Sequence, residues 1–335
     1  MSRVVELRKK AKEEKRTIVL PEGEDARVVK AAAFIEKEGV AHVLLLGSQE
    51  RIKALAEKES VSLDGVEIID PVINEKRQQV IDKYYELRKH KGITVQEAEE
   101  ALMSNFVNYA AVMTRMTLAD GFVAGASHTT SDVARAAIQC LKIDKDIGTV
   151  SSSFIMEMGN CPFGEKGLFS YGDCGIIPYP TTRQLAGIAI ATSDMFRKLF
   201  GIEPLVAMLS YSTKGSAKSE SIETVLAALK KVKEKRPELR IDGELQLDAA
   251  IVPEVAERKC PGSDVAGKAN VLIFPNLDAG NISYKLSQRL GNARAVGPII
   301  QGLSHPCSDL SRGCSWEDVV DTTVITAIRA QSGNQ

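Results

Sequence analysis

Along the first 150 residues, short apolar runs alternate with stretches whose apolar positions recur every three to four residues. The run TIVL (Thr17 to Leu20) reads as a buried strand ended by PEGED, and residues 26–38 then carry the helical period. HVLLLG follows as a second strand closed by glycine, completing a βαβ unit with Asp25 in position to cap its helix. The pattern repeats as SQERIKALAEKES before VEIID, NYAAVMTRMTLAD before GFVAG, and DVARAAIQCLKID before TVSSSF. Such alternation predicts an α/β fold with a mainly parallel sheet covered on both faces.

Beyond residue 150 the texture changes. GNCPFGEKGLFSYGDCGIIPYP is rich in glycine and proline; after it come a helix over 181–200, the strand LVAMLS, a charged helix over 216–235, and strands around LQLDAAIV and NVLIFPN. A chain of 335 residues exceeds the size at which one core keeps growing, so two domains are expected, with the change near residues 145–150. In open α/β sheets ligands lie beyond the carboxyl ends of the strands, which directs the search to polar loops that follow strands.

Composition narrows the function classes. With 44% hydrophobic and 26% charged residues the chain is not disordered, and 43 Lys+Arg against 44 Asp+Glu leave a net charge of -1. Neither nucleic acid nor a membrane surface is expected as a partner through bulk attraction, so an anion must be met by a local site. The N-terminal stretch MSRVVELRKKAKEEKR is too charged for a secretory signal and no apolar run approaches bilayer length; a cytoplasmic protein is expected. The cysteines lack a CxxC pair and the histidines lack a shared spacing, which predicts free thiols and no metal site.

Several loops qualify as sites. GFVAG runs into ASHTTSDVARAAI, a hydroxyl-rich turn in which Ser131 or Asp132 opens the next helix and Arg135 lies one turn in. Backbone N–H groups, hydroxyls and an arginine at a helix start suit an anion, and a plain capped helix with Arg135 in solvent is the other reading. LVAMLS meets YSTKGSAKSE, where Lys214 and Gly215 stand among Ser210, Ser212, Thr213 and Ser216. The order is not that of a P-loop; a nest with a lysine suits phosphate, and a surface turn is the alternative. Asp242, Glu244 and Asp248 read as acids on the wet edge of a sheet, with acid–base chemistry as the second reading. Lys285 and Arg289 lie one turn apart on a helix, an arrangement usual for a solvated face.

The least regular stretch runs from Ser304 to Ser315 within QGLSHPCSDLSRGCSWEDVVD. Ser315, Trp316, Glu317 and Asp318 fit a capping box ahead of the last helix, which gives Asp318 a purely structural reading. The same cap fixes a carboxylate in space, as a general base requires. Just upstream, Ser311 offers a hydroxyl or N–H to a developing oxyanion and Arg312 a guanidinium to phosphate.

Taken in order, GASHTTSD, AMLSYSTKGSAKS, DGELQLDAAIVP, PGSDVAGKANVLIFPNLDAGNISYK, QRL, GPIIQGL and DLSRGCS resemble the phosphate acetyltransferase (phosphotransacetylase) family, in its short form. The resemblance spans nearly the whole chain, ELRKHKG in the first third included. It implies reversible acetyl transfer between acetyl phosphate and coenzyme A, both as substrates, with no metal and no cofactor, and commonly a homodimer. It also implies two α/β/α domains with mainly parallel sheets and an interdomain cleft, similar to the isocitrate and isopropylmalate dehydrogenases. The C-terminal segment then completes the first domain, as residues 1–147 and 299–335, leaving 148–298 as the second.

Carried onto this sequence, the resemblance makes Asp318 the base that takes the CoA thiol proton, Ser311 an oxyanion donor, and Arg312 and Arg289 the phosphate ligands. Arg135 and Arg88 are placed toward the nucleotide end of CoA, and Cys161 close to the active site; Ser131 and Lys214 complete the expected substrate-binding set. Direct transfer in a ternary complex is expected rather than an acetyl-cysteine. Trp316 packs either over the pantetheine arm or against its own domain. The rival readings are a phosphate butyryl- or propionyltransferase, since one methylene discriminates by only about 1–3 kcal/mol, and a catalytically silent CoA or phosphate sensor. A dehydrogenase of similar fold would need NAD, and no strand opens into GxGxxG.

Overall fold

In a computed structural model that describes residues 2–332, α1 (Arg3–Glu13) leads into β1 (Thr17–Leu20), α2 (Ala26–Glu38) and β2 (His42–Leu46), the βαβ unit expected from the opening pattern. Met1 and residues 333–335 of the expected first domain lie outside the described residues. Asp25 caps α2, its carboxylate accepting the Arg27 N–H at 2.9 Å. The chain continues through α3 (Gln49–Lys58), β3 (Glu67–Ile69), α4 (Arg77–Arg88), α5 (Val95–Met103), α6 (Phe106–Arg115), β4 (Gly121–Ala124) and α7 (Thr130–Cys140).

A second unit, Ile143–Gly302, then intervenes. It contains β5 (Ser151–Glu157), β6 (Leu168–Gly172), α8 (Thr182–Phe200), β7 (Val206–Leu209), α9 (Glu220–Lys235) and β8 (Ile241–Leu245). It ends with α10 (Leu247–Ile251), α11 (Pro253–Lys259), β9 (Val271–Ile273), α12 (Leu277–Arg289) and β10 (Arg294–Gln301). The chain returns to the first unit, Arg3–Lys142 plus everything from Leu303 onward, as β11 (Cys307–Asp309) and α13 (Trp316–Ala330).

The strands of the first unit lie in the order β3-β2-β1-β4-β11, all parallel. Two groups of helices cover them: α1, α2 and α13 pack together with α13 on β1, β4 and β11, while α6 and α7 reach β4 and β11 from the group α4 to α7. Burial on both faces explains why β1 and β4 read as unbroken apolar runs. Ile18, Val19 and Phe122 are inaccessible to solvent, as are Val319, Val320 and Ile325 of α13. Each such side chain contributes about 1.5–3 kcal/mol by leaving water. The same packing sets the register, with Ile18 opposite Gly121, Cys307 opposite Phe122 and Asp309 opposite Ala124. The loops after β1, β4 and β11 therefore emerge side by side.

In the second unit the order is β10-β5-β6-β9-β7-β8, with β10–β5 and β5–β6 antiparallel and the rest parallel. Three expectations need correction. The glycine- and proline-rich stretch hides β6, whose LFSYG is wholly buried. LDAAI is the helix α10, not a strand; only Ala249 and Ala250 are buried in it, and a run that short does not separate the two periods. The charged helix starts at Glu220 instead of Ser216, because the Ser219 hydroxyl takes the Ile222 N–H and residues 210–218 remain a turn.

Candidate active site

The loop after β11 is fixed from within and from behind. Ser315 Oγ accepts the Asp318 N–H at 3.2 Å and Asp318 Oδ2 accepts the Ser315 N–H at 2.8 Å, so the capping box read from the sequence is closed. From α2, Arg27 donates to the carbonyl oxygens of Arg312 and Cys314 at 2.8 and 3.0 Å, and to that of Ala126 at 2.7 Å. Asp25 in turn holds that guanidinium, its Oδ2 accepting at 2.6 Å. An arginine that satisfies carbonyls leaves the opposite side of the loop to its donors. Among the described residues, no hydrogen bond engages the Arg312 guanidinium or the N–H groups of Ser311 and Arg312, and both residues are exposed. Among the described residues Ser311 Oγ accepts the Gly313 N–H alone, at 3.3 Å.

The loop after β4 is built the opposite way. Glu22, buried at the end of β1, accepts the N–H groups of Gly125, Ala126, Ser127 and His128 at 2.8 to 2.9 Å, together with the Ser127 hydroxyl at 3.0 Å and His128 Nδ1 at 2.7 Å. Burial alone would push the Glu22 carboxyl up, but the bonds from His128, Ser127 and Ala126 outweigh it and hold the acid below its ordinary range. The same pair raises His128. The sequence reading of this turn as an anion site is thus half right: it is an anion nest, and the chain's own carboxylate fills it. Thr129, not Ser131 or Asp132, caps α7, in a capping box with Asp132.

Neither Glu22 nor Arg27 was singled out in the sequence. The only signal was the acid-rich PEGED ending a strand, which reads as a turn.

The remaining candidates divide between the units. Ser131 is exposed on the first turn of α7, and Arg135, one turn on, contacts Asp132 at 3.4 Å. Arg88 closes α4 beside the last turn of α7, close enough to act electrostatically on Tyr84 and Cys140. Ser311, Arg312, Asp318, Ser131 and Arg135 therefore share the carboxyl-end face of the first unit's sheet, while Arg88 sits at the far end of α7. Trp316 meets Phe34 edge-on at 5.3 Å with Lys30 above its ring, so it packs α13 onto α2, against its own domain.

In the second unit, Cys161 lies in the β5–β6 turn against a core that includes Phe169 and Tyr171, and it is a free thiol. Lys214 departs from its expected part. Its ammonium pairs with Asp242 and donates to the Gly243 carbonyl at 3.1 Å, while buried Glu244 accepts the Gly215 N–H and the Ser212 hydroxyl, both at 2.8 Å. The Lys214 charge is met internally, and two of the acids read as a wet edge, Asp242 and Glu244, anchor the turn; the third, Asp248, pairs with Lys259 of α11 at 2.8 Å. Arg289 ends α12 with no hydrogen bond or ion pair among the described residues. No group of three His, Cys, Asp or Glu side chains among them is arranged to hold a metal, and no helix is long and apolar enough to cross a membrane.

Comparison with known proteins identifies the family. Residues 2–327 match the family described as Phosphate acetyl/butaryl transferase. A phosphate acetyltransferase from Acetivibrio thermocellus is 51% identical over 99% of both chains, and one from Thermoanaerobacterium thermosaccharolyticum is 49% identical over 99% of this chain and all of its own. Among solved structures, a phosphotransacetylase from Streptococcus pyogenes superposes with a TM-score of 0.92 at 40% identity, covering 98% of this chain and 99% of its own.

Proposed function

Because this chain belongs to the Phosphate acetyl/butaryl transferase family, we propose how its own residues carry out the family's reaction. The chain is an acyltransferase that moves acetyl reversibly between acetyl phosphate and coenzyme A, giving acetyl-CoA and phosphate.

Asp318 is the general base. A free thiol near pKa ~8.5 is mostly protonated at neutral pH, and only the thiolate attacks. Asp318 Oδ1 has no hydrogen bond among the described residues and takes the proton, while Oδ2 stays on the Ser315 N–H. The thiolate adds to the acetyl carbonyl, Ser311 donates to the oxyanion, and the carbonyl re-forms as phosphate leaves. Arg312 neutralises the phosphate, with a second such role for Arg289. Arg135, Ser131 and Arg88 serve CoA, and acetyl passes directly between the two substrates without a covalent stop at Cys161. No step calls for a cofactor.

The observation that carries this reading is the β11–α13 loop itself: a base fixed at 2.8 Å by its cap, seven residues from the Ser311 hydroxyl and six from the Arg312 guanidinium, which has no partner among the described residues. Lys214 is omitted from the binding set because Asp242 already holds its charge. We extend the proposal to a homodimer in the cytoplasm; the dimer is supported by Ile282, Leu286 and Leu290, which form an exposed stripe at helical spacing along α12 and just beyond it.

The test is thioester absorbance on mixing the protein with CoA and acetyl, propionyl or butyryl phosphate. Fastest turnover with acetyl phosphate is expected. Binding of CoA without thioester formation from any of the three would defeat the assignment, and light scattering tests the dimer.

A further inference from the structure

Asp309 is a buried acid for which the mechanism has no use. It ends β11 two residues before Ser311 and is inaccessible to solvent. Its Oδ2 accepts the Thr130 hydroxyl at 2.6 Å, whereas Oδ1, fully enclosed, has no hydrogen-bond partner among the described residues. Gly125 runs directly across it, with φ at +114°. A Cβ at that position would lie 2.3 Å from Asp309 Oδ1 and 2.6 Å from the Leu310 carbonyl oxygen. The loop after β4 and the start of the Ser311–Arg312 loop thus meet at this one side chain.

The environment favours one protonation state. An ionised carboxylate would keep half its charge on an enclosed oxygen that no hydrogen bond satisfies; the neutral carboxyl can carry its proton on Oδ2 and give it to Thr130 Oγ, which leaves only the Oδ1 carbonyl short of one bond, a much smaller loss. Burial pushes the Asp309 carboxyl up to about 7, with Thr130 and the Leu310 N–H opposing and the Glu22 charge adding to the rise. The other charges nearby do not relieve it. Cys307 on its own strand is a neutral buried thiol, Arg329 from α13 acts at Cys307, and Arg27 and His128 are engaged with Asp25 and Glu22.

We propose that Asp309 is a positioning residue for acetyl transfer that works as the neutral acid. Through Thr130 it clamps the Ser311–Arg312 loop to the first turn of α7, and its ionisation sets a negative charge in the segment that receives phosphate. The proposal rests on the reading of that loop as the phosphate site.

The experiment measures kcat and KM for each substrate from about pH 6 to about pH 9, with thermal unfolding alongside, in native, Asp309→Asn, Asp309→Ala and Thr130→Val proteins. Native protein is expected to show a rise of about tenfold in the KM for acetyl phosphate across neutrality, as a new charge near a dianion requires, with the KM for CoA unmoved. Asp309→Asn keeps the low-pH value and removes the rise. Asp309→Ala and Thr130→Val raise the KM for acetyl phosphate at every pH, by about tenfold, through a displaced loop. If the alanine variant does not fold, the asparagine and valine variants still decide. An Asn variant that retains the native rise, or loses as much as Ala at low pH, overturns the proposal while leaving an active native enzyme and its assignment intact. A native protein with no thioester activity rejects both.

Discussion

The loops after β4 and β11 are neighbours in space and alike in plan, yet the protein treats them in opposite ways. Each follows a parallel strand, and each opens a helix through a capping box, Thr129 with Asp132 in one and Ser315 with Asp318 in the other. In the first, a carboxylate takes the backbone N–H groups; in the second, a guanidinium takes the carbonyls. Fixing a loop by its donors closes it to an outside anion, and fixing it by its acceptors leaves the donors for one. The second unit repeats the closed form. Asp173 accepts the N–H groups of Ser152, Gly175 and Ile177, as Glu244 does in the turn of Lys214. Polar, glycine-containing turns after strands are thus common in this chain, and what separates the candidate site from its lookalikes is that no carboxylate from elsewhere in the fold takes the N–H groups of Ser311 and Arg312 among the described residues.

The sharpest way to break the comparison is at the open loop's base. Asp318→Asn keeps an oxygen for the Ser315 N–H, so folding should survive while kcat falls about 10³-fold with KM little changed, read by thioester absorbance. Next, Glu22→Gln removes the charge from the closed nest. It should lower unfolding free energy by about 3 kcal/mol in denaturant titration at neutral pH. The sign follows from the depressed carboxyl: its stabilisation is present above the unfolded value and disappears as pH falls through the folded one, so the variant should also have a flatter acid limb. Arg312→Ala should reduce kcat/KM for acetyl phosphate about 10²-fold and spare the KM for CoA. The smallest effect is expected at the second closed turn. Lys214→Met removes a partly exposed ion pair and should cost about 1 kcal/mol or less, with the KM for acetyl phosphate unchanged. A large rise in that KM would return Lys214 to the binding set.

Much of this was local and therefore legible. The period of residues 17–46 set a βαβ unit, Asp25 capped its helix, and Ser315 and Asp318 announced a fixed carboxylate three residues into the last helix. Caps and periods depend on residues a few positions apart, and a single sequence contains them in full. The ordered motifs ending in DLSRGCS pointed further, to the family and its chemistry.

The sequence by itself determined the βαβ alternation, the Asp25 and Ser315 caps and the family. Only the tertiary structure decided which anion-seeking loops are free. Glu22 lies 103 residues from the first N–H it accepts and Arg27 lies 285 from the carbonyl it holds, so no window of sequence reports their partners. Asp309 looks like any acid before a turn until β4, with Gly125 pressed against it, shuts out water and pushes its carboxyl up to about 7. Hydrogen-bond satisfaction and burial are properties of neighbours in space, and folding alone makes those neighbours.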